Sequence, residues 1–423
     1  MDNLFFYSLS VIRRNSAGIL IIILSFASLA FGLEKLPCPT GQHALGRTSF
    51  RWVDKSRPEV MTDALDDYRE IIVHLWYPAE RLDKGEKAPY FPNLELLKKV
   101  IKGREVSAWQ SVETCLQERP PVASAEAKFP VLIFSHGNMM NSALYSFLIG
   151  ELVSRGYIVA AIDHPFDARG VILSDGSAIG FADEKWSKIR PPAPVSPVAP
   201  EPALSDYERF YRERVKVRAA DASFVLNQLE KMNSDQSGTI FGGRFDLNRA
   251  GVFGHSVGGV MAGEVCRSDI RFKACLNLDG MTRQGPFYLD DSGKSFVQPF
   301  MIITKPFSPP DEMLKSWKLS RQRWQEMKEE FERKIYSSVE SGSRRVVVKG
   351  ATHQSFSDDP MLIALLTGAP EIEKHRRILK IINDYTLAFF DKYLKNNNVA
   401  LLDKFSADNP EVILETWLPA NSK

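Results

Sequence analysis

Cysteine is scarce in this sequence, with four residues among 423, at positions 38, 115, 266 and 275. They are too few and too scattered for a disulfide-rich scaffold, and no pair has the C-x-x-C spacing of a structural zinc site. Cys275 lies in an apolar stretch and Cys266 in a helix-prone one. We therefore expect buried thiols and no disulfide. No group of residues has metal-ligand spacing, so neither a metal nor another cofactor is expected.

The sequence also lacks an excess of charge of either sign. Its 54 Lys and Arg residues nearly balance 52 Asp and Glu residues, for a formal charge of +2. No basic block and no alternation of basic with aromatic residues occurs, which argues against a nucleic-acid partner. No internal repeat is visible. With 44% hydrophobic and 25% charged residues, the composition is that of an ordinary globular protein.

An apolar segment near the N-terminus indicates targeting. Arg13 and Arg14 precede an apolar run over residues 17–30, which is followed by small residues and then charge. This pattern is typical of a secretory signal, and the run is shorter than the about 20 residues that a spanning helix needs. Residues 1–32 are therefore predicted to be a signal peptide, and the chain to be exported to the periplasm or the cell exterior. An uncleaved membrane anchor is the alternative.

Apolar strand-like runs alternate with helical patterns through most of the chain. Because short continuous apolar runs are typical of strands covered on both faces, we expect a mostly parallel central sheet with helices on both faces. Residues 33–423 are predicted to form one such α/β domain, with inserts near 91–117 and 183–210. The predicted strands and helices lie at 71–77, 129–134, 157–162, 272–278, 300–303 and 345–348, and at 143–155, 311–335 and 372–394.

Both inserts have a distinctive composition. Residues 189–204 are rich in proline and alanine, which predicts an extended surface connection. Residues 94–102 combine a leucine and isoleucine stripe with three lysines. That combination suits a helix lying on a lipid surface, with packing against the domain as the alternative.

Gly254-His-Ser-Val-Gly258 is the most informative motif. An apolar run over residues 250–253 precedes it and a helix-prone stretch follows, which is the setting of a G-x-S-x-G nucleophile elbow. On so sharp a turn, side chains two residues from the serine would make strand and helix collide. Ser256 is therefore the predicted nucleophile.

A serine hydroxyl needs a base, and the base needs an acid that orients it. His353 and His375 are the histidines that follow the elbow; His353 lies on a loop after a strand, whereas His375 lies in a charged helical stretch. His353 is therefore the predicted base. Asp279 directly follows the strand at 272–278 and is the predicted acid.

Other acids remain available after the elbow. Asp311 has an alternative explanation in the first turn of a helix, and Asp290 with Asp291 is typical of a turn. A second H-G loop, Ser135-His136-Gly137-Asn138, follows a core strand. We expect the backbone N–H groups of Asn138 and Val257 to form the oxyanion hole, and the histidines at 136 and 255 to orient turns.

These motifs together resemble the platelet-activating-factor acetylhydrolases and their microbial relatives, within the α/β-hydrolase superfamily. The resemblance runs through L-P-C-P-T-G at 36–41, V-H-L-W-Y-P-A at 73–79, F-S-H-G at 134–137, the elbow, L-D-G at 278–280 and H-Q-S-F at 353–356. Carried over motif by motif, it implies a triad of Ser256, Asp279 and His353. It also implies a metal-free serine esterase that removes short or oxidatively truncated sn-2 acyl groups from glycerophospholipids.

Three alternatives are open at this point. A general short-chain carboxylesterase acting on small esters, and a polyesterase, would use the same fold and the same triad. A non-catalytic, membrane-associated binding protein would use the fold alone. The intact order of serine, acid and histidine argues against the last of these.

Overall fold

The computed structural model describes residues 34–35, 37–64, 66–82, 85–101, 105–191, 201–235, 238–282, 285–288 and 295–418. The predicted signal peptide at residues 1–32 lies outside the described residues, as do Asp290 and Asp291. No helix in the described ranges combines the length and apolar character that a membrane span requires.

A ten-stranded sheet forms the centre of the described part. Its strand order is β14-β13-β12-β11-β10-β6-β7-β3-β2-β5, and the six strands from β13 to β7 run parallel. β14, and β3 with β2, add antiparallel edges. The strands, including two small separate pairs, are β1 (Glu34–Lys35), β2 (Ala44–Pro58), β3 (Tyr68–Ala79), β4 (Val112–Glu113), β5 (Leu116–Glu118), β6 (Phe129–Ser135), β7 (Ile158–Asp163), β8 (Gly170–Ile172), β9 (Ala178–Gly180), β10 (Phe245–His255), β11 (Phe272–Leu278), β12 (Phe300–Thr304), β13 (Ser343–Val348) and β14 (Val412–Trp417).

Helices cover both faces of this sheet, so the predicted architecture is confirmed. The helices are α1 (Leu94–Leu97), α2 (Glu105–Gln110), α3 (Ser146–Ser154), α4 (Asp183–Ile189), α5 (Glu201–Ser234), α6 (Val257–Ser268), α7 (Asp311–Ser316), α8 (Arg321–Tyr336), α9 (Asp359–Thr367) and α10 (Ile372–Leu394). Short 3-10 turns occupy Ser142–Tyr145, His353–Phe356 and Ala400–Leu402.

Alternation along the buried strands builds two separate cores. In β6, Leu132 and Phe134 pack with α3 and α10, whereas Val131 and Ile133 point to the other face and pack with α5 and α6. Successive side chains of a strand point to opposite faces, so a fully apolar strand supplies both cores.

Most of the apolar stripe at residues 94–101 is buried, which favours the alternative of packing against the domain over a helix lying on a lipid surface. Leu94, Leu97 and Ile101 belong to the same core as α3 and α10. A Cβ on Gly170 would lie 2.9 Å from Ile101, so the segment packs closely on β8. The helix α1 is also much shorter than expected, and Leu96 is the exposed apolar side chain of the segment.

Two helical predictions need correction. The proline-rich stretch was expected to be extended to residue 204, but α5 begins at Glu201 and continues for 34 residues. The single helix expected from Asp311 is two helices, α7 and α8. The chain turns between them through Lys318, whose φ is 56°, and the side chain of Ser320 accepts a hydrogen bond from the Arg323 N–H to cap α8.

The expectation of free thiols was wrong. Cys38 is bonded to Cys115, and Cys266 on α6 is bonded to Cys275 on β11, with Cα–Cα distances of 5.6 and 6.4 Å. The second pair is buried in the sheet core, as predicted, but as a bridge. It forms because α6 folds back onto the strand that follows it, a contact that cysteine spacing alone does not reveal.

Candidate active site

Ser256 lies on a sharp turn between β10 and α6. Its φ is 56°, in a region that residues other than glycine rarely occupy. A Cβ on Gly258 would lie 2.2 Å from the carbonyl oxygen of Ser135, and one on Gly254 would lie 2.5 Å from the same oxygen. Both glycines are therefore required for the turn to pack against the end of β6, and this packing leaves the serine at the C-terminal edge of the sheet.

Asp279 follows β11, the strand next to β10. Its N–H donates to the carbonyl oxygen of Ile303 across 2.8 Å, and Thr304 and the N–H of Lys305 donate to its Oδ1. The end of β12 thus holds both the backbone and the carboxyl group of Asp279, which is 6% exposed. Burial alone would raise the pKa of Asp279. The hydrogen bonds from His353 and Thr304, together with the nearby charge of Lys305, outweigh burial and lower the pKa of Asp279 below its ordinary value.

His353 lies on the 3-10 turn that follows β13. Its Nδ1 is 2.6 Å from Oδ2 of Asp279, and its Nε2 is 3.1 Å from Oγ of Ser256. Because the ionised carboxylate only accepts, Nδ1 carries the proton and Nε2 is free to accept one from the serine. The structure therefore brings the three predicted residues together in one hydrogen-bonded chain.

One predicted oxyanion donor, Val257, directly follows the serine, and the other, Asn138, lies on a loop that packs against the elbow. Val257 is the first residue of α6, and the loop of Gly137 and Asn138 packs against the elbow: a Cβ on Gly137 would lie 3.0 Å from the ring of His255. Neither the N–H of Asn138 nor that of Val257 has an acceptor among the described residues. An oxyanion hole is built from N–H groups that have no other acceptor, so both predicted donors meet this requirement.

Tyr145 and His255 are part of the site, although the sequence did not indicate Tyr145. The N–H of Gly137 donates to Oη of Tyr145 across 3.1 Å, and Oη lies 2.8 Å from Nδ1 of His255. Burial lowers the pKa of His255 to about 3, so its ring is neutral at pH 7. His136 is likewise buried, and its Nε2 accepts from the N–H of His164. Both histidines orient backbone, as expected for turn residues.

Thr304 contacts the acid of the triad, whereas Asp311 and His375 lie on separate helices. Thr304 was missed, although a polar residue at the end of a strand beside the acid was the available signal. Asp311 lies on α7, exposed and paired with Arg321. His375 lies on α10. In the described ranges no group of three His, Cys, Asp or Glu side chains could hold a metal ion.

Sequence comparisons with known proteins indicate one family. A family model described as platelet-activating factor acetylhydrolase, isoform II, matches residues 29–411. A platelet-activating factor acetylhydrolase of Gallus gallus is 26% identical over 86% of this chain and 85% of that protein. A probable 1-alkyl-2-acetylglycerophosphocholine esterase of Arthroderma benhamiae is 23% identical over 89% of this chain and 93% of its own. The solved structure of a ferulic acid esterase from Streptomyces cinnamoneus has a TM-score of 0.66 and 26% identity, and the match covers 90% of this chain and 99% of that one.

Proposed function

Because the chain belongs to the platelet-activating factor acetylhydrolase isoform II family and is a serine ester hydrolase, we propose that it releases short or oxidatively truncated sn-2 acyl groups from glycerophospholipids. The observation that carries the mechanism is the hydrogen-bonded chain from Asp279 through His353 to Ser256. A serine becomes a strong nucleophile only when such a base takes its proton.

In the first half of the reaction, Oγ of Ser256 attacks the ester carbonyl carbon while Nε2 of His353 takes the hydroxyl proton. The N–H groups of Asn138 and Val257 stabilise the oxyanion of the tetrahedral intermediate. Asp279 holds the imidazolium in position. The intermediate collapses, His353 gives its proton to the leaving glycerol oxygen, and the acyl group stays on Ser256.

Water completes the cycle. His353 takes a proton from the water molecule, whose oxygen attacks the acyl-serine carbonyl, and then returns a proton to Oγ of Ser256. The products are a short carboxylic acid and a lysophospholipid. This chemistry needs no group beyond the protein's own residues and water.

The surroundings of the triad suit a lipid ester. Met139, Met281 and Phe307 are each about half exposed, and each lies within three residues of a residue that contributes to the site. They offer apolar contact to an acyl or alkyl chain. Lys305 is half-buried near Asp279, and its charge helps to lower the pKa of that carboxyl. Such a cation would attract a phosphodiester.

We also propose export of the mature chain, with anchoring through the N-terminal segment as the alternative. Two disulfides support this proposal, because disulfides persist in oxidising compartments outside the cytosol. Lipid contact through residues 94–102 has little support, since Leu96 is the exposed apolar side chain that the described part of this segment retains. We place substrate entry instead at the loops that carry Met139, Met281 and Phe307.

A substrate panel tests the proposal. Purified protein is assayed with phosphatidylcholines whose sn-2 chain lengthens from acetyl to palmitoyl, with p-nitrophenyl acetate and with a soluble aliphatic polyester. We expect the highest kcat/KM on the acetyl phospholipid and a steep fall with chain length. Equal or higher values on the nitrophenyl ester or the polyester would favour the general esterase or the polyesterase. Failure to react with a fluorophosphonate probe would favour the non-catalytic binding protein.

A further inference from the structure

Two arginines of α5 donate hydrogen bonds to the loop that carries Asn138. Nη2 of Arg214 donates to Oδ1 of Asn138, and Nη1 of Arg218 donates to the carbonyl oxygen of His136 across 2.6 Å. Residues four apart lie on the same face of a helix. The two guanidinium groups therefore hold the residues on either side of Gly137.

Asp167 ties these arginines together. Its Oδ1 accepts from Nε of Arg214 across 2.8 Å, and its Oδ2 accepts from Nε of Arg218 across 2.9 Å. The backbone carbonyl oxygen of Asp167 also accepts the N–H of Met139 across 3.0 Å. Asp167 thus contacts the loop directly through its backbone, and it also orients the two arginines that contact the loop.

All three charged groups are buried, with Arg218 0%, Asp167 4% and Arg214 8% exposed. Removing such charges from water is costly, and apolar residues of similar volume often stabilise a fold equally well. Unlike apolar packing, this cluster forms hydrogen bonds of fixed geometry to particular atoms of the loop that carries Asn138.

The loop is consequently fixed at four consecutive residues. Arg218 holds the carbonyl of His136, Tyr145 holds the N–H of Gly137, Arg214 holds the side chain of Asn138, and Asp167 holds the N–H of Met139. The N–H of Asn138 is left without an acceptor in the described part of the chain.

The indole ring of Trp186, on α4, stacks on the guanidinium group of Arg214. The ring lies 4.3 Å from the guanidinium carbon, and its Nε1–H donates to the carbonyl oxygen of Phe166 across 3.0 Å. The stack restricts the guanidinium, which is the group that reaches Asn138. The insert at 183–210 therefore contacts the site through this tryptophan.

We propose that Arg214 is a positioning residue for the oxyanion hole: its bond to the Asn138 side chain, braced by Asp167 and Trp186, aims the Asn138 N–H at the developing oxyanion. The inference rests on the proposed function. An N–H that is aimed at the transition state stabilises it more than the bound ester, so loss of the brace lowers kcat and changes KM little.

A double-mutant cycle tests this role, using Arg214→Leu, Asn138→Ala and both together. Asn138→Ala keeps the backbone N–H and leaves the buried ion pairs of Arg214 intact. Each single variant is expected to lower kcat about tenfold, as for a displaced rather than deleted donor, with KM within about threefold. The double variant should be no worse than the poorer single one, because both remove the same bond.

A second readout separates positioning from folding. A trifluoromethyl ketone forms a tetrahedral adduct with Ser256, and its oxyanion occupies the same hole. Its inhibition constant should rise by the factor by which kcat/KM falls. Lys216→Gln, which removes an exposed charge from the same turn of α5, is the matched control and should change neither quantity.

Unchanged kcat and inhibition constants in Asn138→Ala, or additive losses in the double variant, would overturn the positioning role while wild-type activity stands. If Arg214→Leu does not fold, Asn138→Ala decides alone. A wild-type protein without ester hydrolysis would instead overturn the proposed function and the inference together.

Discussion

The Nε2–H of His255 donates to the backbone carbonyl oxygen of His353 across 3.0 Å, and the two rings lie 4.6 Å apart. A neutral imidazole has one N–H, so this bond leaves Nδ1 of His255 to accept from the hydroxyl of Tyr145. The same hydroxyl oxygen accepts from Gly137. One chain of hydrogen bonds therefore joins the loop of the base to the loop of the oxyanion donor.

Tyr145→Phe should lower kcat about tenfold with little change in KM, since it removes this connection from both loops and so displaces the base and the oxyanion donor. The variant should also lose stability, because a buried N–H and a buried ring nitrogen are left without partners at about 1–3 kcal/mol each. Steady-state kinetics and thermal unfolding measure the two effects. Tyr157→Phe is the control: it removes a partly buried hydrogen bond to Asp391, away from the site, and should lower Tm alone. Equal kinetics in the two variants would contradict the role of Tyr145.

Asp279→Asn should lower kcat by about 10⁴, because an amide favours the wrong tautomer of His353. Asp311→Asn is the matched control. Its carboxylate is exposed on α7 and pairs with Arg321, so its loss should cost at most about 1 kcal/mol of stability and no activity. A large kinetic loss in the control with little in Asp279→Asn would refute the choice of acid.

Asp358 should make stability depend on pH. Burial raises its pKa to about 8, although the Tyr90 hydroxyl and the N–H of Phe147 donate to the carboxyl group. The unfolded chain has lost this proton above about pH 4 and the folded chain keeps it to about pH 8, so stability present at low pH falls as pH rises between these values.

Urea titrations between pH 5 and 7 measure this linkage. The free energy of unfolding of wild type should fall more steeply than that of Asp358→Asn, by up to about 1.4 kcal/mol per pH unit. Parallel pH dependences would mean that the hydrogen bonds keep Asp358 ionised and that burial does not dominate.

The two disulfides should contribute unequally to stability. Replacing Cys38 and Cys115 with serine opens a loop with a sequence separation of 77, and replacing Cys266 and Cys275 opens one with a separation of 9. Loop-closure entropy predicts losses of about 4.5 and about 2.6 kcal/mol respectively. Chemical unfolding of the two double variants checks the order. Free-thiol titration of the unreduced, unfolded wild type should find no reactive thiol, and a positive titration would refute the pairing.

Elements whose pattern reflects burial on both faces could be predicted from the sequence. The strand expected at 272–278 is β11 to the residue, and that at 129–134 is one residue longer as β6. β2 was not predicted. It carries alternating charged residues because it lies near the edge of the sheet, so no apolar run marks it.

Site residues could likewise be predicted where a local sequence pattern marks them, and not where tertiary packing alone brings them in. Ser256, Asp279 and His353 could be located because each follows a strand in a recognisable local pattern. Arg214 could not, because it lies 76 residues from Asn138 and meets it only through tertiary packing. The pairing of the cysteines was missed for the same reason. The sequence also left open whether Leu97 and Ile101 are buried, since an amphipathic stripe does not specify what covers it.

The most direct test of the account is kcat of Ser256→Ala on the acetyl phospholipid, with Tm measured on the same preparation. The substitution removes one hydroxyl, so the fold and Tm should be preserved. The account predicts a fall of about 10⁶ in kcat and loss of labelling by a fluorophosphonate. A folded Ser256→Ala protein that keeps more than about a tenth of wild-type activity would contradict it, because deleting the nucleophile of an acyl-enzyme mechanism cannot leave so much turnover.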